Sequence, residues 1–122
     1  MKMETLIALD WAIRCFGSDH VFDRSVRALR LAEEAVELTQ ALHVSRDMMH
    51  KLIDTVYDRP VAKDFHQEIG GVALTLQVLC GALGQDPETF FTAELRRVLA
   101  KTPEHFAKRN EEKLQLGLTG AS

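Results

Sequence analysis

The sequence has little that punctuates or bridges a chain. Its 122 residues include three prolines, seven glycines and two cysteines. The cysteines, Cys15 and Cys80, lie far apart and form no CxxC, which sets aside a zinc ribbon or a redox pair. They read as reduced, core-filling thiols of a cytoplasmic protein. No apolar run approaches the roughly 18 residues a membrane span needs. Met1-Lys2-Met3-Glu4 has no basic stretch leading into an apolar one, so no secretory signal is expected. Positive charge is not in excess: the formal net charge is -3, which argues against a general nucleic-acid coat. Metal-site signatures built on histidine are missing too. There is no HExxH for zinc and no Glu-x-x-His, which a di-iron carboxylate bundle carries on two helices. His20, His43, His50, His66 and His105 read as surface or packing residues.

What is there is helical. Hydrophobic residues make up 46% and charged residues 27%, too apolar for disorder and suited to one compact domain, residues 1–122. Apolar positions recur at helical spacing, and no segment alternates as a strand does. The pattern predicts helices over Glu4–Phe16, Asp23–His43, Arg46–Asp58, Ala62–Leu83, Asp86–Lys101 and Thr102–Leu116. Asp23 or Ser25 caps the second and Ser45 the third. Arg59-Pro60 ends the third, because the residue before proline avoids helical angles. Asp86-Pro87-Glu88 and Thr102-Pro103-Glu104 both read as helix starts. Residues 1–23 form an N-terminal helix and turn, and 117–122 a flexible tail.

Two faces of this plan are notable. Ala28, Leu31, Ala35, Leu38 and Leu42 form the expected buried stripe of the second helix. Val72 to Leu83 is apolar nearly all round, as in a helix buried by neighbours or by a second subunit. The Met48-Met49 pair reads as core filling.

Chemistry, if the chain carries any, lies in its carboxylates. Glu34 and Glu37 are three residues apart, so they share one face of the Asp23–His43 helix, and Arg27 and Arg30 extend that stripe. Like charges so placed repel, and a hard divalent cation would relieve them. An exposed, solvated face is the plainer reading. Glu68 stands in an otherwise apolar helix, on one stripe with Asp64, Gly71 and Thr75. A carboxylate there needs a partner, either a cation shared with Glu34 and Glu37 or an arginine such as Arg30. Gly70-Gly71 costs a helix interior about 1 kcal/mol per glycine relative to alanine. Close approach of a ligand and tight helix packing both account for it. Residues 96–113 gather Arg96, Arg97, Lys101, Lys108, Arg109 and Lys113 against three glutamates. Such a basic end suits phosphate, though ordinary solvated charge gives the same pattern. Trp11 either stacks on a base or fills the core beside Leu9 and Ile13.

In order and spacing, Glu33-Glu34-x-x-Glu37, then Glu68-Ile-Gly-Gly71 in an apolar helix, then the basic segment from Lys101 to Lys113, resemble one family. They are similar to the MazG-like all-α nucleoside triphosphate pyrophosphohydrolases, over about residues 24–113. The family pattern is EExxE followed by ExxD, and Gly71 stands where the family has Asp. The resemblance implies an all-α bundle with two long antiparallel helices carrying the acidic motifs and shorter helices flanking them. It implies cleavage of a ribo- or deoxyribonucleoside triphosphate between the α and β phosphates, giving a monophosphate and pyrophosphate. Glu34, Glu37 and Glu68 would then hold magnesium or manganese, with Asp64 or water in place of the missing acid. Glu33 would orient or deprotonate the attacking water. Lys101, Arg109, Lys113, Arg30 and Trp11 would contact the nucleotide. The expected assembly is a homodimer or homotetramer, with no nucleic-acid or membrane partner. The competing expectation is a non-catalytic nucleotide-binding or helical interaction module whose metal site has degenerated at Gly71.

Overall fold

A computed structural model describes residues 1–118, and all regular structure there is helical. Seven helices follow in order: α1 (Met3–Phe16), α2 (Ser18–Val21), α3 (Arg24–Ala41), α4 (Arg46–Tyr57), α5 (Phe65–Ala82), α6 (Pro87–Leu99) and α7 (Pro103–Gln115). No helix is long and apolar enough to cross a membrane among the described residues.

Local chemistry sets the boundaries. Asp23 is the cap of α3: its carboxylate accepts the amide of Val26 at 3.1 Å. That satisfies one of the amides the first turn leaves open. Asp64 does the same for α5, accepting the His66 amide at 3.0 Å, so this helix begins three residues later than the apolar pattern suggests. Gly17 (φ +82°) breaks α1 from α2, in a backbone region that glycine enters without steric cost. The Gly17–His20 segment, expected as a stop, therefore contains a single helical turn.

Three helices end in the same left-handed closure. At the end of α7, Gly117 donates to Leu114 O and Leu118 to Lys113 O, each at 3.0 Å. At the end of α5, Gly84 donates to Gly81 O and Gln85 to Cys80 O. At the end of α3, His43 donates to Gln40 O and Val44 to Thr39 O. This paired pattern is the Schellman motif, which normally places glycine at the left-handed position. His43 holds it with φ +68°. The helix consequently stops two residues before its apolar pattern does. Of the expected flexible tail, Gly117 and Leu118 are held in this closure, and residues 119–122 lie outside the described residues.

The chain divides into two compact units, Met1–Arg46 with Leu99–Ser122, and Asp47–Val98. In the first, α1 packs against α7 and α2, and α2 against α3. Its buried apolar residues are Ala12, Cys15, Val21, Val26 and Phe106. Trp11 stands edge-on between Phe16 and Phe106, with ring centroids 5.8 and 5.1 Å away, an arrangement aromatic quadrupoles favour. The second unit buries only Cys80 and Val98.

The expected core stripes fare differently. Both cysteines are free and buried, as expected. The α3 stripe is not buried: Leu31, Leu38 and Leu42 are exposed, and Val26 is the buried residue of that helix. On α5, Val72, Leu74, Leu76 and Val78 are exposed as well, so neighbours within the chain do not cover the helix that is apolar all round.

Candidate functional site

In the first unit, α3 brings Arg27, Arg30, Glu33, Glu34 and Glu37 along a few turns. The basic helix α7 is tied to this stretch. Lys113 Nζ donates to Glu33 Oε1 at 2.6 Å, and both side chains are about three-quarters buried, with 25% and 24% exposure. The expected water-activating acid and one of the expected phosphate contacts are thus each other's partner. A second tie runs from Arg30, whose Nη2 donates to the carbonyl oxygen of Leu118 at 2.7 Å. A third joins α2 to α7: His20 Nε2 and Asn110 Oδ1 are 3.1 Å apart.

Beside these ties lies a group of donors with nothing to donate to. Arg27 Nε, Arg30 Nε, Arg30 Nη1 and Trp11 Nε1 are buried and have no hydrogen-bond partner among the described residues. An orphaned buried donor costs about 1–3 kcal/mol, more when charged, so four of them in one unit call for a physical account. The Arg27 guanidinium lies over the Phe16 ring, 5.5 Å from its centroid. Burial lowers the Arg27 pKa below its ordinary value, and the neighbouring Arg30 charge lowers it further, while Asp23 acts the other way. Arg27 belongs to the sequence's acidic-motif stripe but was not singled out as a site residue. Its three-residue spacing from Arg30 is the signal that could have found it.

The remaining expected residues of this unit are placed simply. Glu34 and Glu37 are exposed on α3, one turn apart on one face. Lys101 is exposed in the loop that enters α7, and Arg109 is exposed on α7. Trp11 is half-buried in its aromatic cluster, the core-filling position rather than an open stacking platform. Burial pushes the Cys15 thiol above its usual 9.0; Glu104 adds to this and Arg14 opposes it. It is therefore an inert thiol.

In the second unit, Asp64 and Glu68 open α5. Asp64 is occupied as the cap, and its Oδ1 also lies 3.1 Å from His66 Nδ1. Glu68 is exposed one turn further on. A Cβ built at Gly70 or at Gly71 meets nothing within 4 Å. Tight packing within the chain does not explain these glycines. Thr75 turns back on this turn, donating to Gly71 O at 2.8 Å.

Among the described residues, no group of three or more His, Cys, Asp and Glu side chains is arranged to hold a metal ion. The donor chemistry of α3 nonetheless suits a hard cation. Magnesium is commonly held by one or two carboxylates with waters and substrate phosphates completing its shell, and Glu34 with Glu37 supplies two. No protein-family model, no curated protein and no solved structure matches this chain.

Proposed function

We propose that the protein is a metal-dependent nucleoside triphosphate pyrophosphohydrolase of the MazG-like type, acting in the cytoplasm on the nucleotide pool. The observation that carries this reading is the composition of one helix and its neighbour. α3 presents two carboxylates on one face and two arginines a turn upstream, and basic α7 is tied to it through Glu33 and Lys113. Carboxylates for a divalent cation beside guanidinium groups for phosphate are the two needs of a triphosphate substrate.

In this reading Glu34 and Glu37 hold the cation, joined by Glu68 and Asp64 as the resemblance implies. When bound, magnesium supplies charge neutralisation across the phosphate oxygens. Glu33 orients the attacking water or takes its proton, and the Lys113 ammonium holds the Glu33 carboxylate in place. Arg30, Lys101 and Arg109 bind the phosphates.

The same reading includes a homodimer or homotetramer. The support is the apolar surface of the second unit: Met48, Leu52, Phe65, Ile69, Leu74 and Val78 are all more than half exposed. Exposed apolar side chains in such number on one unit are what an association surface would cover.

One observation favours a second reading, a nucleotide-binding or helical interaction module without turnover. It is that no three metal-ligating side chains gather among the described residues, with glycine at position 71.

Release of monophosphate and pyrophosphate from a panel of ribo- and deoxyribonucleoside triphosphates decides between them. It is run with magnesium, with manganese and with EDTA. The enzyme reading expects metal-dependent pyrophosphate release that Glu34→Ala and Glu68→Ala abolish. Nucleotide binding without release from any member of the panel establishes the module instead.

A further inference from the structure

We propose that Arg27 and Arg30 form a phosphate-chain anchor in the first unit, one that binds its anion without help from the metal. For the source of that anion, a nucleotide, it rests on the function proposed above. Its chemistry stands on the arginines alone.

Arg27 and Arg30 are three residues apart on α3, so their guanidinium groups share a face and repel. Three of their nitrogens, Arg27 Nε, Arg30 Nε and Arg30 Nη1, are buried with no acceptor among the described residues. Neither arginine forms an ion pair with an acid among the described residues. Two of the neighbouring carboxylates have hydrogen bonds elsewhere: Asp23 caps α3 and Glu33 holds Lys113. Arg30 gives one nitrogen to the Leu118 carbonyl, a neutral acceptor.

Next comes the wall. Arg27 lies over the Phe16 ring, and Phe16 stands edge-on to Trp11. An aromatic floor excludes water and strengthens any charge-assisted hydrogen bond made above it. Two adjacent cations with several donors, on an apolar floor, fit a ligand that carries several negative charges and many acceptor oxygens. A phosphate chain meets that description better than a single carboxylate.

The test uses the full chain and inorganic tripolyphosphate in EDTA, followed by calorimetry and by the fluorescence of Trp11, the single tryptophan. Saturable binding with a change in Trp11 emission is expected. Arg27→Gln and Arg30→Gln should each weaken it at least about tenfold, ~1.4 kcal/mol. Arg27→Lys, which keeps the charge and resembles the parent in size, should retain part of it. Arg14→Gln, an exposed arginine paired with Asp10, should bind as the parent does. Circular dichroism verifies that each variant keeps its helices, and if one does not, the other arginine carries the test.

A triphosphate nucleotide in EDTA, run beside tripolyphosphate, separates the sources. Equal affinity places recognition in the phosphates, as proposed. Flat titrations with both ligands overturn the anchor and leave the enzyme reading to the turnover assay. Loss of binding in Arg14→Gln equal to that in Arg27→Gln also overturns it, since net charge would then account for the binding. Tight, Arg27-dependent binding with no turnover under magnesium sustains the anchor and removes the enzyme.

Discussion

Lys113 and Glu33 lie 80 positions apart in sequence and meet at 2.6 Å between α7 and α3. Each was expected to face a nucleotide, one as phosphate contact and one as water-activating acid. Their pairing makes α7 a brace for the acidic helix. Because both side chains are largely shielded from water, the pair is worth more than an exposed bridge such as Arg14–Asp10. Removing one partner leaves the other's charge stranded. Lys113→Met is expected to cost about 1–3 kcal/mol in urea unfolding. The double variant with Glu33→Gln should recover part of that loss. If Lys113→Met unfolds at the parent's urea midpoint, the pair braces nothing.

How much of this was legible beforehand can be traced residue by residue. The starts of α3 and α6 were readable because Asp23 and Pro87 act within one turn of themselves, whereas Asp64 was read as a candidate metal ligand and not as the cap of α5. Helix ends were less so. α3 runs apolar past Leu42, yet His43 turns left-handed, and no rule based on glycine marks that position. The acidic pairs were readable as pairs, since three-residue spacing fixes their common face. Their partners were not, because Lys113 reaches Glu33 through tertiary packing. The burial of α3 was overestimated for the same reason: periodicity identifies an apolar face without saying what covers it. Arg27 is named on the acidic stripe without a site role, because an arginine near a helix start is ordinary in sequence. Only its place over Phe16 makes it unusual.

His43 offers a direct test of the left-handed closure. The left-handed region costs a residue with a Cβ roughly 1–2 kcal/mol. Glycine avoids that cost but brings more freedom to the unfolded chain, which offsets about 0.5–1 kcal/mol. His43→Gly is therefore expected to stabilise the chain by up to about 1 kcal/mol. Thermal or urea unfolding measures it. A clear loss of stability would mean that the imidazole makes a contribution larger than the backbone cost.

Gly71 tests the resemblance itself. A side chain there meets nothing within 4 Å, so Gly71→Asp is accommodated without repacking and completes the family's ExxD spacing from Glu68. It is expected to raise manganese affinity by about tenfold, ~1.4 kcal/mol, read by calorimetry. Asp64→Ser is the companion, since serine can still cap α5 but offers no carboxylate. If Asp64 stands in for the missing acid, this variant lowers affinity in the parent background and matters less beside Gly71→Asp. Unchanged affinity in Asp64→Ser removes Asp64 from the metal site. Unchanged affinity in Gly71→Asp means that position 71 does not face the cation.

Leu74 decides what covers α5. It is 66% exposed in the single chain, with Val78 one turn on at 64%. If α5 faces water, Leu74→Glu is a surface change expected to shift stability by less than about 0.5 kcal/mol and to leave the molar mass alone. If a second copy covers this helix, the same substitution places a charge in an apolar interface. An unpaired charge there is costly enough to separate subunits. Light-scattering mass against concentration, for parent and variant together, distinguishes the two. The proposed assembly requires a parent of two or four chains and a Leu74→Glu protein of lower mass. A parent that stays monomeric at every concentration removes the assembly. An oligomer that Leu74→Glu leaves intact must be built on another face, and the exposed stripe of Leu31, Leu38 and Leu42 on α3 would then be the next to alter.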